Sequence, residues 1–538
     1  MAESAEPLAF FPFDHLHSVA GKSLALLLGG KGASLAEMTR ALGFAVPPGF
    51  TAPASISRSF QREGRLPDGF GELLDKHVEA LGAKIGRRLG DPADPLLVAV
   101  RSGATVSMPG MMDTVLNVGL NDDTVVGLAH AAGDASFAWD CYRRFLRMYA
   151  TTVLGVEERR LGPAAHRGDD HHYREEVARI RAAVRKEIGA EIPADPKEQL
   201  RQTVMAVFNS WNSARAKAYR AREGISEQLG TAANVQAMVF GNRAGLSGTG
   251  VVFTRNPSTG EACLYGDYLP HAQGEDVVSG VARTLPIQQL AEQAPHVFEQ
   301  LRTVLRRLEI YYRDLCDVEF TVEGGRLWLL QTRAGKRTAT AAVRIAADLA
   351  RDPEIKLTAD EAAQRAPAEL RERARLEILA ASRRDSGAHA LLTKGLGASP
   401  GRATGGIALD SEAAVEAEGP VILVRPHTSP EDVAGMSAAA GILTSTGGLV
   451  SHAAVVAREW GTPAVVGAHE VEIDDDGVRI AGLVLKAGDT ITIDGETGEV
   501  WRGEIGDAAR SLSDADVLSA RLPELAELEA WSGVGAAL

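Results

Sequence analysis

The chain has 538 residues, 45% of them hydrophobic and 24% charged, with a formal net charge of -14. That length exceeds what one core can serve, so roughly two to four domains are expected. The acidic balance argues against a nucleic-acid or anionic-membrane partner. The three cysteines, Cys141, Cys263 and Cys316, have no metal-ligand spacing and fit a reducing compartment. The opening MAESAEPLAFFPFDH lacks a basic stretch followed by an apolar one, so no leader peptide is expected. No apolar run approaches the ~20 residues that span a bilayer. A soluble, cytoplasmic protein is the expectation.

Taken in chain order, the first segment to carry chemistry is GGKGASLAEM, residues 29–38. Two glycines precede Lys31 and a helix is expected after it, an arrangement that brings an ammonium to a phosphate, although GGKG is also an ordinary turn. In VAVRSGATVSMPGMMDT, residues 98–114, a β run delivers Arg101 into a long loop. Gly103 and Gly110 let backbone amides approach a phosphate there, and the guanidinium offers a matching fork of donors. Residues 120–230 read as predominantly helical. In TAANVQAMVFGNRAGLSGTGVVFTRNPSTGE, residues 231–261, a strand could lay Gln236 and Met238 against an adenine. The alternative is a plain β-hairpin with Arg255 on the surface.

DVEFTVEGGRLWLLQTRAGKR, residues 317–337, predicts a hairpin. Alternation puts Asp317 and Glu319 on one face, and the returning strand brings Gln331 and Arg333 back toward them. Paired carboxylates beside phosphate-binding groups suit Mg²⁺, which takes one or two carboxylates and shares its other positions with phosphates. Two surface acids are the plainer reading. Residues 357–385 read as a charged helical linker or passive spacer, and residues 395–505 as a compact α/β domain. Within it, TSTGGLVSHAAVVAREWG (444–461) places His452 between a glycine turn and a helix of small residues. A core histidine satisfied by backbone groups is the bland account. A neutral imidazole at a helix start is also a competent nucleophile, in a place that favours anions.

These segments, together with AQGEDVVSG, GASPGRATGG and RPHTSPEDVAGM, resemble the pyruvate, phosphate dikinase family over about residues 10–505. The phosphate-dependent branch is closer than the water-dependent synthases because of SMPGMMDT. The resemblance implies an α/β and α+β multidomain chain. An ATP-grasp domain at 1–345 carries the helical segment, a helical linker follows at 346–394, a swivelling phosphohistidine domain at 395–505 and a tail with one helix at 506–538. It implies that Lys31, Arg101, Asp317, Glu319, Gln331 and Arg333 hold Mg²⁺-ATP, with Gln236 and Met238 by the base and Arg143 or Arg144 helping with the phosphates. His452 is then the phosphoryl carrier, presented rather than buried. It takes the β-phosphoryl end of ATP with release of AMP, and inorganic phosphate removes the γ-phosphoryl as pyrophosphate. The linker serves as its hinge.

Two departures from the family stand out. Its pyruvate- and phosphoenolpyruvate-binding (β/α)₈ barrel needs about 250 residues, more than follow position 505. The expectation is that pyruvate is served by a separate barrel protein. The alternatives are a different acceptor or a non-catalytic ATP-binding regulator. Val450 stands where many members have a threonine whose phosphorylation switches the enzyme off. A homodimer is left open.

Overall fold

The computed structural model describes residues 8–106, 108, 111–164, 168–280, 282–382, 390–474, 477–505 and 513–532. Gly110 of the phosphate-loop reading lies outside them. The chain packs as two compact units, residues 1–247 with 328–332, and residues 248–327 with 333–538. The second unit therefore takes in both the later part of the expected nucleotide domain and everything after it.

In the first unit, helix α1 (Gly21–Ala36) joins the first two strands of an antiparallel sheet. Its strands are β1 (Phe11–Pro12), β2 (Gly49–Ala52), β3 (Val98–Ala104), β4 (Thr114–Val118) and β5 (Thr231–Ala237), in the order β1-β2-β5-β3-β4. Every residue of β5 is buried, because the strand is central and covered on both faces. Among the described residues, five α-helices run between β4 and β5. These are α2 (Asp122–Ala132), α3 (Ala135–Met148), α4 (Asp170–Ile188), α5 (Pro196–Ser210) and α6 (Ala214–Glu223). Each begins at an Asn, Asp or Ser whose side chain accepts from a first-turn amide; α4 is capped this way by Asp169. The apolar faces of α2 to α5 join one core with the sheet, through Phe145, Ile180, Val204, Phe208 and Val235.

The second unit holds two larger sheets. One comprises β6 (Gly248–Phe253), β7 (Tyr265–Pro270), β8 (Leu285–Pro286), β9 (Cys316–Glu323) and β10 (Arg326–Ala334), ordered β8-β7-β6-β9-β10. Residues 328–332 of β10 count with the first unit. The turn between β9 and β10 needs positive φ at both Gly324 (57°) and Gly325 (80°), which glycine supplies without strain. Arg255, just after β6, is not on the surface. It is buried and paired with Glu309 at 2.7 Å and Asp348 at 3.3 Å, carboxylates that offset the desolvation of its guanidinium.

The segment expected as a linker forms α8 (Ala359–Arg365) and α9 (Ala368–Ala381). They pack on α7 (Ala339–Arg351) and on two helices of the tail, α11 (Asp514–Arg521) and α12 (Glu524–Trp531), where the sequence suggests one. Small residues set the spacing here. Ala346, Ala347, Ala362 and Ala374 let the helices close on Leu522, Leu525 and Leu528. Arg371 is buried and donates to the Leu528 carbonyl at 3.2 Å and to Ser532 Oγ at 2.9 Å, which fastens the tail.

The last sheet is mixed. Its strands are β11 (Leu391–Lys394), β12 (Leu396–Ser399), β13 (Arg402–Ala408), β14 (Val421–Arg425), β15 (Gly441–Thr444), β16 (Ala464–Val466), β17 (Thr490–Asp494) and β18 (Glu499–Arg502). The order is β11-β18-β17-β13-β14-β15-β16-β12, with β13 to β16 parallel. The two edge strands are joined at Gly395 alone, so the sheet curls until its edges meet. On its flank lies α10 (His452–Trp460), whose Ala453, Ala454, Val456 and Ala457 pack with Ala398, Ile442, Ala464 and Val466. Burying Val456 contributes about 1.5–3 kcal/mol. The alanines bring the helix axis close to the sheet, which holds its first residue, His452, in place.

Candidate active site

In the first unit the glycine motif is not a loop followed by a helix. Helix α1 runs through it, broken only at Gly29, where φ is 71° and ψ is 163°. The break lets the chain press against β3: a Cβ on Gly29 would lie 1.7 Å from the Gly103 carbonyl oxygen. Lys31 follows the break, half-buried beside β3. Arg101 lies on β3, and its Nη1 donates to the Leu330 carbonyl at 3.4 Å. Gln236 on β5 is buried and gives its Nε2 to the Pro47 carbonyl at 3.1 Å. Met238 follows the strand, partly buried against the core. Gln331 is buried in this unit, and its Oε1 has no hydrogen-bond partner.

Arg143 and Arg144 lie on α3. Arg143 is buried, 2.5 Å from Asp140 and 3.7 Å from Glu176, with its guanidinium 4.8 Å from the Tyr173 ring centroid. Arg144 reaches Asp140 at 3.0 Å. Both are thus held by a carboxylate within the helical segment, and Arg143 also packs it together.

In the second unit, Asp317 and Glu319 share a face of β9, Asp317 buried and Glu319 half-buried. Arg333 Nε donates to Asp317 Oδ2 at 2.7 Å, while Asp317 Oδ1 is buried with no hydrogen-bond partner. Burial pushes the Asp317 carboxyl above its ordinary value, Arg333 pulls it down and Glu319 pushes it up. An oxygen stripped of water and left without a donor is one that a cation would satisfy. Among the described residues no three or more His, Cys, Asp or Glu side chains converge as a metal cluster. A two-carboxylate site fits Mg²⁺ better than a metal needing a full protein cage.

His452 is the first residue of α10, after the N-cap Ser451, whose side chain makes no capping bond. Its Nδ1 is 3.1 Å from Thr428 Oγ1, and its Nε2 is buried with no partner. Desolvation lowers the imidazole to about 4, with Asp432 pulling the other way, so the ring is neutral near pH 7. The histidine is therefore not simply presented. Its loop is docked inside this unit: Val450 N–H donates to Asp267 Oδ2 at 2.9 Å, and Val450 is buried with Val251, Phe253 and Val277. A Cβ on Gly448 would lie 2.3 Å from Asp267 Oδ2 and 2.2 Å from Thr284 Oγ1, so only glycine allows the approach. Burial raises the Asp267 carboxyl to about 6, against the pull of the Val450 amide and Arg458. Arg458, buried two turns along α10, donates to the Leu449 carbonyl at 2.8 Å and the Ala398 carbonyl at 3.0 Å. Its guanidinium lies 5.7 Å from the Phe253 ring centroid.

Asp267, Thr428 and Arg458 are not singled out by sequence reasoning. Thr428 sits in HTSPED and Arg458 in AAVVAR, both within segments noted for other reasons. Asp267, in GDYLP, carries no local signal, because its partner Val450 is remote in the chain.

Residues 65–289 match the family described as pyruvate phosphate dikinase, AMP/ATP-binding domain. Residues 417–498 match PEP-utilising enzyme, mobile domain. Fold and matches together define a mixed α/β multidomain chain that joins an ATP-binding region to a mobile domain bearing a helix-start histidine. Pyruvate, phosphate dikinase of Rhizobium meliloti (strain 1021) is 47% identical over 512 residues, covering 89% of this chain and 56% of that protein. Pyruvate, phosphate dikinase 2 of Oryza sativa subsp. japonica is 44% identical over 515 residues, 92% of this chain and 57% of the relative. The chloroplastic dikinase 1 of Arabidopsis thaliana is 41% identical over 543 residues, 97% and 54% respectively. The chain belongs to the pyruvate, phosphate dikinase family. It spans about half the length of these relatives. Among the described residues no helix is long and apolar enough to cross a membrane.

Proposed function

We propose that this chain carries the ATP-consuming half of a dikinase reaction, with His452 as the phosphoryl carrier. Its first region is read as an ATP-grasp nucleotide domain and residues 395–505 as the swivelling carrier domain. The His452 imidazole attacks the β-phosphorus of ATP and AMP departs. Inorganic phosphate then attacks the γ-phosphorus, pyrophosphate leaves and one phosphoryl group stays on His452. Lys31, Arg101, Gln331 and Arg333 bind the phosphates, with help from Arg143 or Arg144, while Gln236 and Met238 border the base. Asp317 and Glu319 would hold Mg²⁺, which supplies charge neutralisation for the phosphates when bound. Arg333 opposes the burial penalty on the ionised form of Asp317. The acceptor that follows in this reading is pyruvate, giving phosphoenolpyruvate.

One observation supports this reading most: a neutral, partnerless His452 Nε2 at a helix start. A buried nitrogen without a partner calls for an explanation, and a ligand that completes it is one. A rapid-quench time course of AMP and pyrophosphate, with and without inorganic phosphate, tests it. Pyrophosphate that forms only when phosphate is present is the expected result. AMP release independent of His452, in the His452→Ala variant, would overturn the assignment.

A further inference from the structure

The carrier's other ring nitrogen also has a defined environment. Thr428, on the loop after β14, is buried at 3% exposure, and its Oγ1 lies 3.1 Å from His452 Nδ1. The charged groups nearby are engaged elsewhere. Asp432 accepts from the Ser429 backbone N–H at 2.8 Å and Ser429 Oγ at 3.2 Å, and lies 3.4 Å from Arg425 Nε. Arg425 also donates to the Leu409 carbonyl at 3.0 Å. The partner of Nδ1 is thus a neutral hydroxyl, not a carboxylate.

A hydroxyl can meet a ring nitrogen in two ways. If Thr428 donates to Nδ1, the ring proton sits on Nε2, a buried N–H with nothing to receive it. If Nδ1–H donates to Thr428, Nε2 keeps a bare lone pair. Either arrangement leaves Nε2 unpaired in a desolvated site, at about 1–3 kcal/mol, but only the second leaves a nucleophile. We propose that Thr428 is a positioning residue that accepts a hydrogen bond from His452 Nδ1–H, holding the ring in the tautomer whose Nε2 accepts and later releases the phosphoryl group. This inference rests on the carrier reading of His452.

The consequence runs in both directions of transfer. On attack, the Nε2–P bond forms, the P–O bond to the AMP leaving group breaks, and the proton stays on Nδ1. The phosphorylated ring is then an imidazolium, which departs as neutral imidazole when an acceptor attacks. Loss of the Nδ1 proton would make imidazolate the leaving group and the phosphoryl group inert. A carboxylate at Thr428 would stabilise the imidazolium more strongly and so trap the intermediate. A neutral acceptor fixes the proton's position without that penalty.

The test uses the whole chain labelled with ¹⁵N-histidine, in Thr428→Val and Thr428→Ser variants. Valine matches threonine in shape and lacks the hydroxyl; serine keeps it. Long-range ¹H–¹⁵N spectra should show His452 as the Nδ1–H tautomer in the parent and in Thr428→Ser, and as a mixture or Nε2–H in Thr428→Val. Single-turnover phosphorylation should fall in Thr428→Val by on the order of 10-fold to 100-fold, as when a hydrogen-bond partner that orients a metal-bound histidine is removed. ATP affinity should be unchanged, and Thr428→Ser should recover most of the rate. An Nε2–H tautomer in the parent, or equal tautomers in parent and Thr428→Val, would overturn the proposal. A parent that shows the Nδ1–H tautomer yet never becomes phosphorylated would instead remove the carrier reading and leave the hydrogen bond standing.

Discussion

Lowering the pH from 7 to 5 should leave the His452 ring uncharged. A histidine at its ordinary 6.5 would be only about 3% neutral at pH 5. Held near 4 by desolvation, His452 should still be about 90% neutral there. The difference between 6.5 and about 4 corresponds to about 3 kcal/mol at about 1.4 kcal/mol per pH unit. Its sign is fixed by linkage. The folded state favours the neutral ring, so this stability is fully present above pH 6.5 and is lost as the pH falls toward 4. The assay is an NMR titration of the His452 Cε1–H resonance, assigned by its loss in His452→Gln. A flat shift from pH 8 to 5, followed by a midpoint near 4, is expected. A midpoint near 6.5 would show that the ring is solvated and that the docked loop does not describe the protein in solution.

Three further outcomes follow from neighbouring residues. Glu319→Gln keeps shape but removes charge beside Asp317, so phosphorylation of His452 should fall by on the order of 10²–10³ with circular dichroism unchanged; near-normal labelling would make Glu319 a plain surface acid. Gly448→Ala drives a methyl group into Asp267 and Thr284, at a cost of about 1–3 kcal/mol. Hydrogen exchange at the Val450 amide should then speed up, and unchanged protection would refute the close approach. Val450→Thr buries a hydroxyl among Val251, Phe253 and Val277, which should lower the melting temperature through a cost of about 1–3 kcal/mol. An unchanged melting temperature would mean that the loop is not packed there.

Legibility from sequence follows the range of the interactions. The β9–β10 hairpin is readable because strict alternation and a Gly-Gly turn are local signals, and α10 because AAVVAR follows a glycine turn. The plain-hairpin alternative puts Arg255 on the surface because Glu309 and Asp348, which pair with it when buried, come far later in the chain. The packed bundle of α7, α8, α9, α11 and α12 escapes notice for a related reason. Its seam is rich in alanines, which carry weak hydrophobic contrast, and the leucines they meet belong to the tail. At the candidate site, the residue types are readable but their partners are not. His452 stands out by its glycine and alanine neighbours. The docking of its loop on Asp267 depends on a contact across 183 positions.

The central claim is that His452 carries a phosphoryl group drawn from ATP. Intact mass and acid–base lability of the protein after incubation with Mg²⁺-ATP and inorganic phosphate test it most directly. One acid-labile, base-stable phosphoryl group should form on the parent chain, and none on His452→Ala, which should still bind ATP. Labelling that persists in His452→Ala, or a parent chain that gains no phosphoryl group, would contradict the account.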